Sequence, residues 1–357
     1  HTAVSDELNS LGVTLRMIGD YPTAVTIGKE ALAMSTRLRG ADHPDTLLMQ
    51  MNLLVAMHSD GQYGETIPLL LDNLARTRRV LGDDDQRVAR TLGTLAVSWK
   101  VVGKFSKAEA AFKDAAAIWT KVSGPDSAEG SYTDINLGNL LAYEGRYAEA
   151  EVLLRNALRV TRLHFPEASK EVRFARFRLA NTLAHTGKPQ EAITLVESLL
   201  DAPAPDGDYE RYILGASQMA FAEAALRLDR ASEAQTAAHT ALELMKAMRP
   251  TDNASIGRAQ FLIGRIEIVQ HHFDDAEATL RQAIASLVLE EDSSADPALT
   301  DARLSLAEAL MAAGKRADAQ TVIDELHDPF AGEETPYQTE LRARLAKLSI
   351  ALAHAQR

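Results

Sequence analysis

The chain contains no cysteine among its 357 residues, and aromatic residues make up only 5% of it. The absence of cysteine excludes disulfides, thiol nucleophiles and cysteine-ligated zinc, and it is compatible with an oxidising compartment without requiring one. The shortage of aromatic residues, beside a hydrophobic content of 46%, favours helices packed through Ala and Leu over a β-rich core.

Long apolar runs and basic runs are also missing. No segment approaches the roughly 20 apolar residues of a membrane-spanning helix, and no signal peptide is visible. We therefore expect no direct membrane insertion. The formal net charge is −12 without a polybasic run, so we also expect no nucleic-acid partner. Because the chain begins with His1, we expect a part of a longer protein, either cytoplasmic or a periplasmic ectodomain of a membrane-anchored regulator.

Motifs of catalysis are absent as well. The sequence has no Gly-x-Ser-x-Gly, no phosphate-binding Gly-Lys-Ser/Thr, no His-Glu-x-x-His and no dinucleotide fingerprint after a strand. We therefore expect that this chain by itself is not an enzyme and binds no cofactor.

A repeat of 42 residues organises what is present. The segments LGVTLRMIGDYPTA (11–24) and LGNLLAYEGRYAEA (137–150) share a Leu-Gly pair, a second Gly, an aromatic residue and an Ala at equal spacing. The second Gly of the 11–24 segment is Gly19. From it, six steps of 42 residues and a last step of 43 residues define eight turn positions: Gly19, Gly61, Gly103, Gly145, Gly187, Asp229, His271 and Gly314. Five residues after each turn position stands an Ala, except for Thr66. The chain is an eightfold repeat.

Each repeat predicts a pair of antiparallel helices. In the fourth repeat, Leu137, Leu140 and Leu141 share one helical face, and Gly145 ends that helix because Gly adopts the left-handed conformation readily. A second helix follows, with Ala150 and Ala157 small enough to let the two helices approach closely. Such a pair cannot bury its own apolar faces, so neighbouring pairs must stack.

The pattern Leu137-Gly138, Leu141, Gly145, Tyr147, Ala150 and Ala157 resembles the tetratricopeptide repeat, whose usual period is 34 residues. The longer unit is similar to the kinesin-light-chain-type variety, which also occurs in bacterial signalling proteins, including serine/threonine kinases. The resemblance implies an all-α fold, a right-handed α-solenoid of about eight helix pairs plus a C-terminal capping helix. We place the repeats roughly at 3–45, 46–87, 88–129, 130–171, 172–213, 214–255, 256–298 and 299–330.

Two segments depart from the repeat. Residues 335–356 carry Leu341, Leu345, Leu348 and Leu352 on one stripe, which predicts a helix that covers the last repeat. The alternative is an amphipathic helix that binds a membrane or a partner. The Pro- and Gly-rich segment 201–208 predicts a point of slight flexure.

Three clusters of His and acidic residues invite a metal-site interpretation. GADHPDT (40–46) also contains the His-Pro-Asp tripeptide of J-domains, but it lies between repeats 1 and 2, where Gly and Pro end one helix and Asp or Thr caps the next. VQHHFDDAE (269–277) coincides with a turn and a helix start, and EEDSSADP (290–297) lacks calcium-loop spacing. We interpret all three as connections and expect no metal.

The resemblance places the first helix of each pair on a concave groove. The predicted ligand contacts there are Arg90, Lys100, Asn136, Asn139, Tyr143, Arg178, Asn181, His185, Arg227 and Arg265. Arg16, Arg258 and His58 share these inward registers with only four acids, Asp6, Glu223, Asp301 and Glu308. The groove therefore carries a positive excess within an acidic chain. The alternative is that individual residues only bond neighbouring helices.

These observations favour a binding module that holds an extended, acidic protein or peptide segment in its groove. The resemblance implies a scaffold or sensor within a larger bacterial regulator such as a serine/threonine kinase. One alternative is a structural module that self-associates through its convex or terminal surfaces, and a remote one is an enzyme acting on a small molecule.

Overall fold

The computed structural model describes residues 1–200, 207–248, 253–288, 297–326 and 335–355. Within these ranges the chain forms seventeen α-helices and no β-strand, as the repeat predicts. Eight consecutive pairs are followed by a single helix. Most of the predicted flexure segment and of the acidic segment at 290–297 lies outside the described residues.

The first helix of each pair has an odd number and the second an even number. The helices of the first four pairs are α1 Thr2–Met17, α2 Tyr21–Arg39, α3 Pro44–Ser59, α4 Tyr63–Leu81, α5 Gln86–Val101, α6 Phe105–Ser123, α7 Ala128–Tyr143 and α8 Tyr147–His164. The remaining helices are α9 Lys170–His185, α10 Pro189–Leu200, α11 Asp208–Leu226, α12 Ala231–Lys246, α13 Asn253–Val269, α14 Phe273–Val288, α15 Pro297–Ala312, α16 Arg316–Asp324 and α17 Pro336–Ala355.

The turn within each pair has a left-handed residue at the position that the repeat predicts. All eight turn positions have positive φ, between 58° and 88°. Asp229 and His271, which replace Gly in two repeats, adopt φ angles of 58° and 63°. The left-handed turn is therefore kept at positions that have lost the glycine, because the two helices that flank the turn constrain its backbone.

Close packing within each pair depends on the small residue five positions after the turn. All eight of these residues, Ala24, Thr66, Ala108, Ala150, Ala192, Ala234, Ala276 and Ala319, are at most 1% exposed. A larger side chain there would push the two helices apart, so this register sets the spacing of the pairs.

Two compact units divide the chain, His1–Leu140 and Leu141–Arg357. In unit 1 each of the helices α1 to α5 packs on the next one along the chain. In unit 2 the same succession runs from α8 to α16.

Helix α17 covers the last repeat, as the leucine stripe predicts. Leu341, Leu348 and Leu352 are buried in one cluster with Leu299, Leu306 and other residues of the eighth pair. The end of the array thus buries apolar surface that an uncovered repeat would expose to water.

The connection GADHPDT is a loop that leads into a capped helix. Gly40 ends α2 with φ 92°, and the Nδ1 atom of His43 accepts a hydrogen bond from the backbone N–H of Asp45 at 3.2 Å. Pro44 occupies the first helical position of α3, where no N–H is needed. The interpretation of this segment as a connection is confirmed, but the predicted Asp or Thr cap is wrong, because His43 caps α3.

Candidate binding surface on the inner helices

In unit 1, basic side chains occupy one register of three successive odd-numbered helices. Arg16, His58 and Lys100 lie in the last turns of α1, α3 and α5, each 42 residues from the next. All three are partly buried, and Arg90 on α5 is exposed. The structure thus aligns in successive repeats the basic residues that the sequence assigned to the groove.

His58 contributes polarity rather than charge to this series. Desolvation by burial lowers its pKa to about 4, so the ring is neutral at pH 7. The ring meets the edge of Tyr63 at 4.7 Å between centroids, and its Nε2 has no hydrogen-bond partner within the described part of the chain.

Asparagines on the odd-numbered helices of unit 1 bond to other groups of the chain. Asn52 donates from Nδ2 to the Oδ1 atom of Asn9, one repeat earlier, at 3.0 Å. Asn136 donates to the carbonyl oxygen of Tyr132 in its own helix at 3.0 Å. Asn139 is half-buried on the same helix. Asn52 thus shows the helix-bonding role that was the alternative to ligand binding, whereas the bond of Asn136 lies within its own helix.

In unit 2, a network of ionic hydrogen bonds connects three predicted groove residues through one acid. The buried carboxylate of Glu223 on α11 accepts hydrogen bonds from Arg265 of α13 at 2.7 Å and from Arg227 at 3.0 Å. Arg227 also lies 2.9 Å from the Nδ1 atom of His185 on α9. These contacts connect three adjacent repeats.

Burial and charge oppose each other at Glu223. Burial by itself would raise the pKa of its carboxyl, but the guanidinium groups of Arg265 and Arg227 outweigh that effect and hold the pKa at about 2. Glu223 is therefore ionised throughout the physiological pH range.

His185 is held as a neutral ring in the same network. Burial lowers the pKa of His185 to about 4. The positive charges of Arg227 and Arg265 also lower this pKa, whereas the negative charge of Glu223 raises it. Its ring stacks on Tyr147 with centroids 4.5 Å apart and the two planes nearly parallel. The Nδ1 atom of the neutral ring accepts the hydrogen bond of Arg227, which leaves the proton on Nε2.

Arg178 of α9 is positioned by aromatic rings. Its guanidinium carbon lies 5.0 Å and 4.8 Å from the ring centroids of Phe174 and Phe177, and its Nη2 donates to the hydroxyl of Tyr212 at 3.0 Å. Asn181, one turn later, is exposed, and Tyr143 lies half-buried at the end of α7. Stacking of this kind orients a guanidinium while its charge is kept.

Two residues that sequence reasoning did not assign to the inner surface come from α17. Arg344 donates to Glu308 at 2.9 Å and to Ser305 at 3.1 Å, and it also pairs with Asp301. The hydroxyl of Tyr337 donates to Asp301 as well. In the sequence, Arg344 lies off the leucine stripe of residues 335–356. The only feature of the sequence that pointed to its contact was the pair of acids Asp301 and Glu308 on the inward registers of repeat 8.

The described residues hold no cluster of three or more His, Asp or Glu side chains that could bind a metal ion. His271 and Phe273 of the 269–277 segment meet edge to face, with ring centroids 5.7 Å apart, at the start of α14. No helix in the described ranges is long and apolar enough to cross a membrane.

Four models of the tetratricopeptide repeat match the sequence, at residues 8–45, 99–162, 135–208 and 301–325. The chain is a tetratricopeptide repeat protein. The predicted resemblance is confirmed, and the family supports a role as a protein-interaction scaffold. No curated protein matches the sequence significantly.

Two solved structures with TM-scores above 0.6 show the same fold at low sequence identity. A Rap protein complexed with competence and sporulation factor is 16% identical, with full coverage of both chains and a TM-score of 0.63. The Cut9–Hcn1 structure is 14% identical, covering 96% of this chain and 55% of its own, with a TM-score of 0.61. A putative kinesin light chain repeat structure from Podosopora anserina is 20% identical over 61% of this chain and 98% of its own, with a TM-score of 0.47.

Proposed function

We propose that this tetratricopeptide repeat protein binds an extended protein or peptide segment that carries carboxylate groups, along its odd-numbered helices. In this proposal the chain belongs to a larger bacterial regulator such as a serine/threonine kinase, for which it would serve as the sensor or scaffold. The similar Rap structure was solved with a bound factor, which supports this use of the fold.

One observation carries the choice of an acidic ligand. Each of the four inward acids already has a cationic partner: Asp6 pairs with Arg39, Glu223 with Arg227 and Arg265, and Asp301 and Glu308 with Arg344. By contrast, Arg16 and Arg90 pair with no carboxylate in the ranges that the structure describes. Positive charge on a concave surface attracts carboxylates more strongly than it does on an open surface.

The contacts fall into different roles. Arg90, Lys100 and Arg178 are proposed to pair with carboxylates, while Asn139, Asn181 and Tyr143 hydrogen-bond the backbone of the ligand. Arg227, Arg265 and His185 would shape the surface through their bonds with Glu223. Arg227 and Arg265 remain 39% and 32% exposed, so both still face solvent.

A binding measurement tests this function. The probes are a pool of extended acidic peptides with free C-termini, and the control pool replaces Asp and Glu by Asn and Gln. A charge-assisted hydrogen bond contributes about 1.5–3 kcal/mol, so Arg90→Ala or Arg178→Ala should weaken binding roughly ten- to hundredfold.

Arg37→Ala is the matched control, because Arg37 is an exposed arginine of the outer helix α2. It should leave affinity unchanged, and rising salt should weaken binding of the acidic pool. Equal affinity for both pools, or indifference to Arg90→Ala, Arg178→Ala and ionic strength, would show that the inner surface does not bind carboxylates.

A further inference from the structure

Helix α17 does not take the position of the first helix of a ninth repeat. Helices α13 and α15 pack more extensively on the preceding outer helices, α12 and α14, than on the preceding inner helices. Helix α17 shows the reverse preference, for α15 over α16. An open cleft lined by Arg316, Ala317, Gln320 and Leu352 lies between α16 and α17. The helix is therefore displaced toward the inner side of unit 2.

Polar contacts anchor α17 to the inward registers of α15. Arg344 reaches three side chains of α15, and Tyr337, seven residues earlier, donates to Asp301 from the same face. Asp301 is 7% exposed and Ser305 is 2% exposed. A buried carboxylate needs such partners, because burying it unpaired is costly.

The first turn of α17 also reaches the opposite end of unit 2. The backbone N–H of Tyr337 donates to the carbonyl oxygen of Glu144 at 3.1 Å, in the turn that precedes α8. A Cβ atom built on Gly145 would lie 2.9 Å from that same nitrogen. This helix thus connects repeat 8 to the turn of repeat 4 across the inner side of the unit.

Charge complementarity explains the attachment. The described side chains of α17 include Arg342, Arg344 and Lys347 but only one acid, Glu340. Of these basic residues, Arg344 meets the acids Asp301 and Glu308 of α15. A basic helix has docked on an acidic part of the inner surface, with its leucines on the apolar part.

We propose that the inner surface of α15 is a receptor site for a helical segment bearing Tyr and Arg seven residues apart, and that α17 is its internal ligand. An external segment of the same chemistry would compete with α17 and release the contact at Glu144. This site does not depend on the acidic ligand proposed above, since it recognises a guanidinium and a phenol rather than carboxylates.

A peptide of residues 336–355 is the probe, and the full chain is the receptor. In the wild type, α17 competes at a high effective concentration because it is tethered. The variant Tyr337→Phe/Arg344→Met weakens that internal competitor while the receptor acids are kept. We expect the peptide to bind this variant at least tenfold more tightly than the wild type or the control variant Arg281→Met, which removes an ion pair on the outer helix α14.

Two further comparisons make the test specific. A control peptide with Gln in place of Arg344 and Phe in place of Tyr337 should bind the released variant at least tenfold more weakly. Adding Asp301→Asn/Glu308→Gln should abolish the difference between the two peptides. Equal affinity of the peptide for wild type and released variant, or equal affinity of both peptides for the released variant, would overturn the proposal.

Hydrogen exchange on the wild-type chain gives an answer even if the variant does not fold. Saturation with the 336–355 peptide should speed amide exchange in α17 severalfold while that of α11 to α14 is unchanged. Unaltered exchange in α17 under saturation would contradict an internal ligand. Failure of the acidic peptides, in contrast, would leave these results untouched and affect only the proposed function.

Discussion

Units 1 and 2 have the same repeat but different chemistry on their odd-numbered helices. In unit 1 the register of Arg16 and Lys100 carries basic side chains, and Arg90 is exposed without an ion pair in the described ranges. In unit 2 the corresponding surface is occupied by Glu223 with its two arginines and by Arg344 with its two acids.

This difference between the units shows that the packing of helix pairs and the binding of a ligand depend on different residues of the repeat. Packing within and between pairs needs small residues and left-handed turns, and both units supply them at the same registers. The inward polar positions lie outside these two registers, so their charges differ between the units while the helix pairs stay the same. Binding properties are therefore set by residues that the repeat motif does not specify.

The shared packing register predicts the largest effect, and it should be equal in both units. Ala108→Trp in unit 1 and Ala150→Trp in unit 2 each insert an indole where the native side chain has 0% exposure. We expect each to destabilise by about 3 kcal/mol through overpacking. Thermal melting followed by circular dichroism measures it, with Ala148→Trp at an exposed position as control. Wild-type melting of either buried variant would refute the common register.

The ionic network around Glu223 in unit 2 predicts the second-largest effect on stability. Arg265→Met removes one partner of the buried Glu223, and the cost should be about 2 kcal/mol, because Arg227 remains as a partner. The folded pKa of Glu223 lies below its ordinary value, so its stabilisation is present above about pH 4.5 and is lost as pH falls toward 2. Denaturant titrations at pH 7 and pH 3 should show a smaller cost at pH 3.

The double variant Arg265→Met/Glu223→Gln is the control for that experiment. It removes the charge that would be left with fewer partners, so it should recover part of the lost stability at pH 7. A cost for Arg265→Met that stays constant across pH would mean that Glu223 does not titrate as described.

A half-buried acid in unit 1, Asp134, has the opposite pH dependence. Desolvation by burial raises the pKa of Asp134 to about 6, so the folded chain binds a proton more tightly than the unfolded chain. Stability should therefore fall as pH rises from about 4 to 6, and Asp134→Asn should stabilise above pH 6 by about 1 kcal/mol and have no effect below pH 4. Denaturant midpoints across this range provide the measurement. Destabilisation by the variant at pH 7 would show that the carboxylate is needed.

The smallest effects concern the turns. His271→Gly should stabilise by about 0.5–1 kcal/mol, since a non-glycine residue at φ 63° is strained. Gly187→Ala should destabilise by a similar amount. No atom lies within 4 Å of the place where the new Cβ would stand, so the cost comes only from the φ of 74°, which is unfavourable for Ala. Melting temperatures test both, and a stabilising Gly187→Ala would contradict the conformational explanation.

The repeat could be predicted from sequence because its determinants are local and periodic. A turn glycine and an alanine five residues later define the pair wherever they occur, and eight registers reinforce one another. The same period correctly located left-handed turns at Asp229 and His271, although neither residue belongs to the motif. The leucine stripe of α17 was sufficient to predict a covering helix.

Charge pairing could not be predicted in the same way. The sequence shows that Glu223 and Arg265 share a register, but a hydrogen bond of 2.7 Å between them depends on how closely adjacent pairs approach. A count of inward charges also cannot include Arg344, whose helix lies outside the repeat.

The amino-acid sequence by itself determined the family, the number of helix pairs and the turn positions, because spacing along one chain is sufficient to encode them. Only the tertiary structure decided which inner charges are neutralised and where α17 lies. The bond between Tyr337 and Glu144 joins residues from opposite ends of unit 2. No periodic signal relates them, since their contact results from the summed geometry of every pair between them.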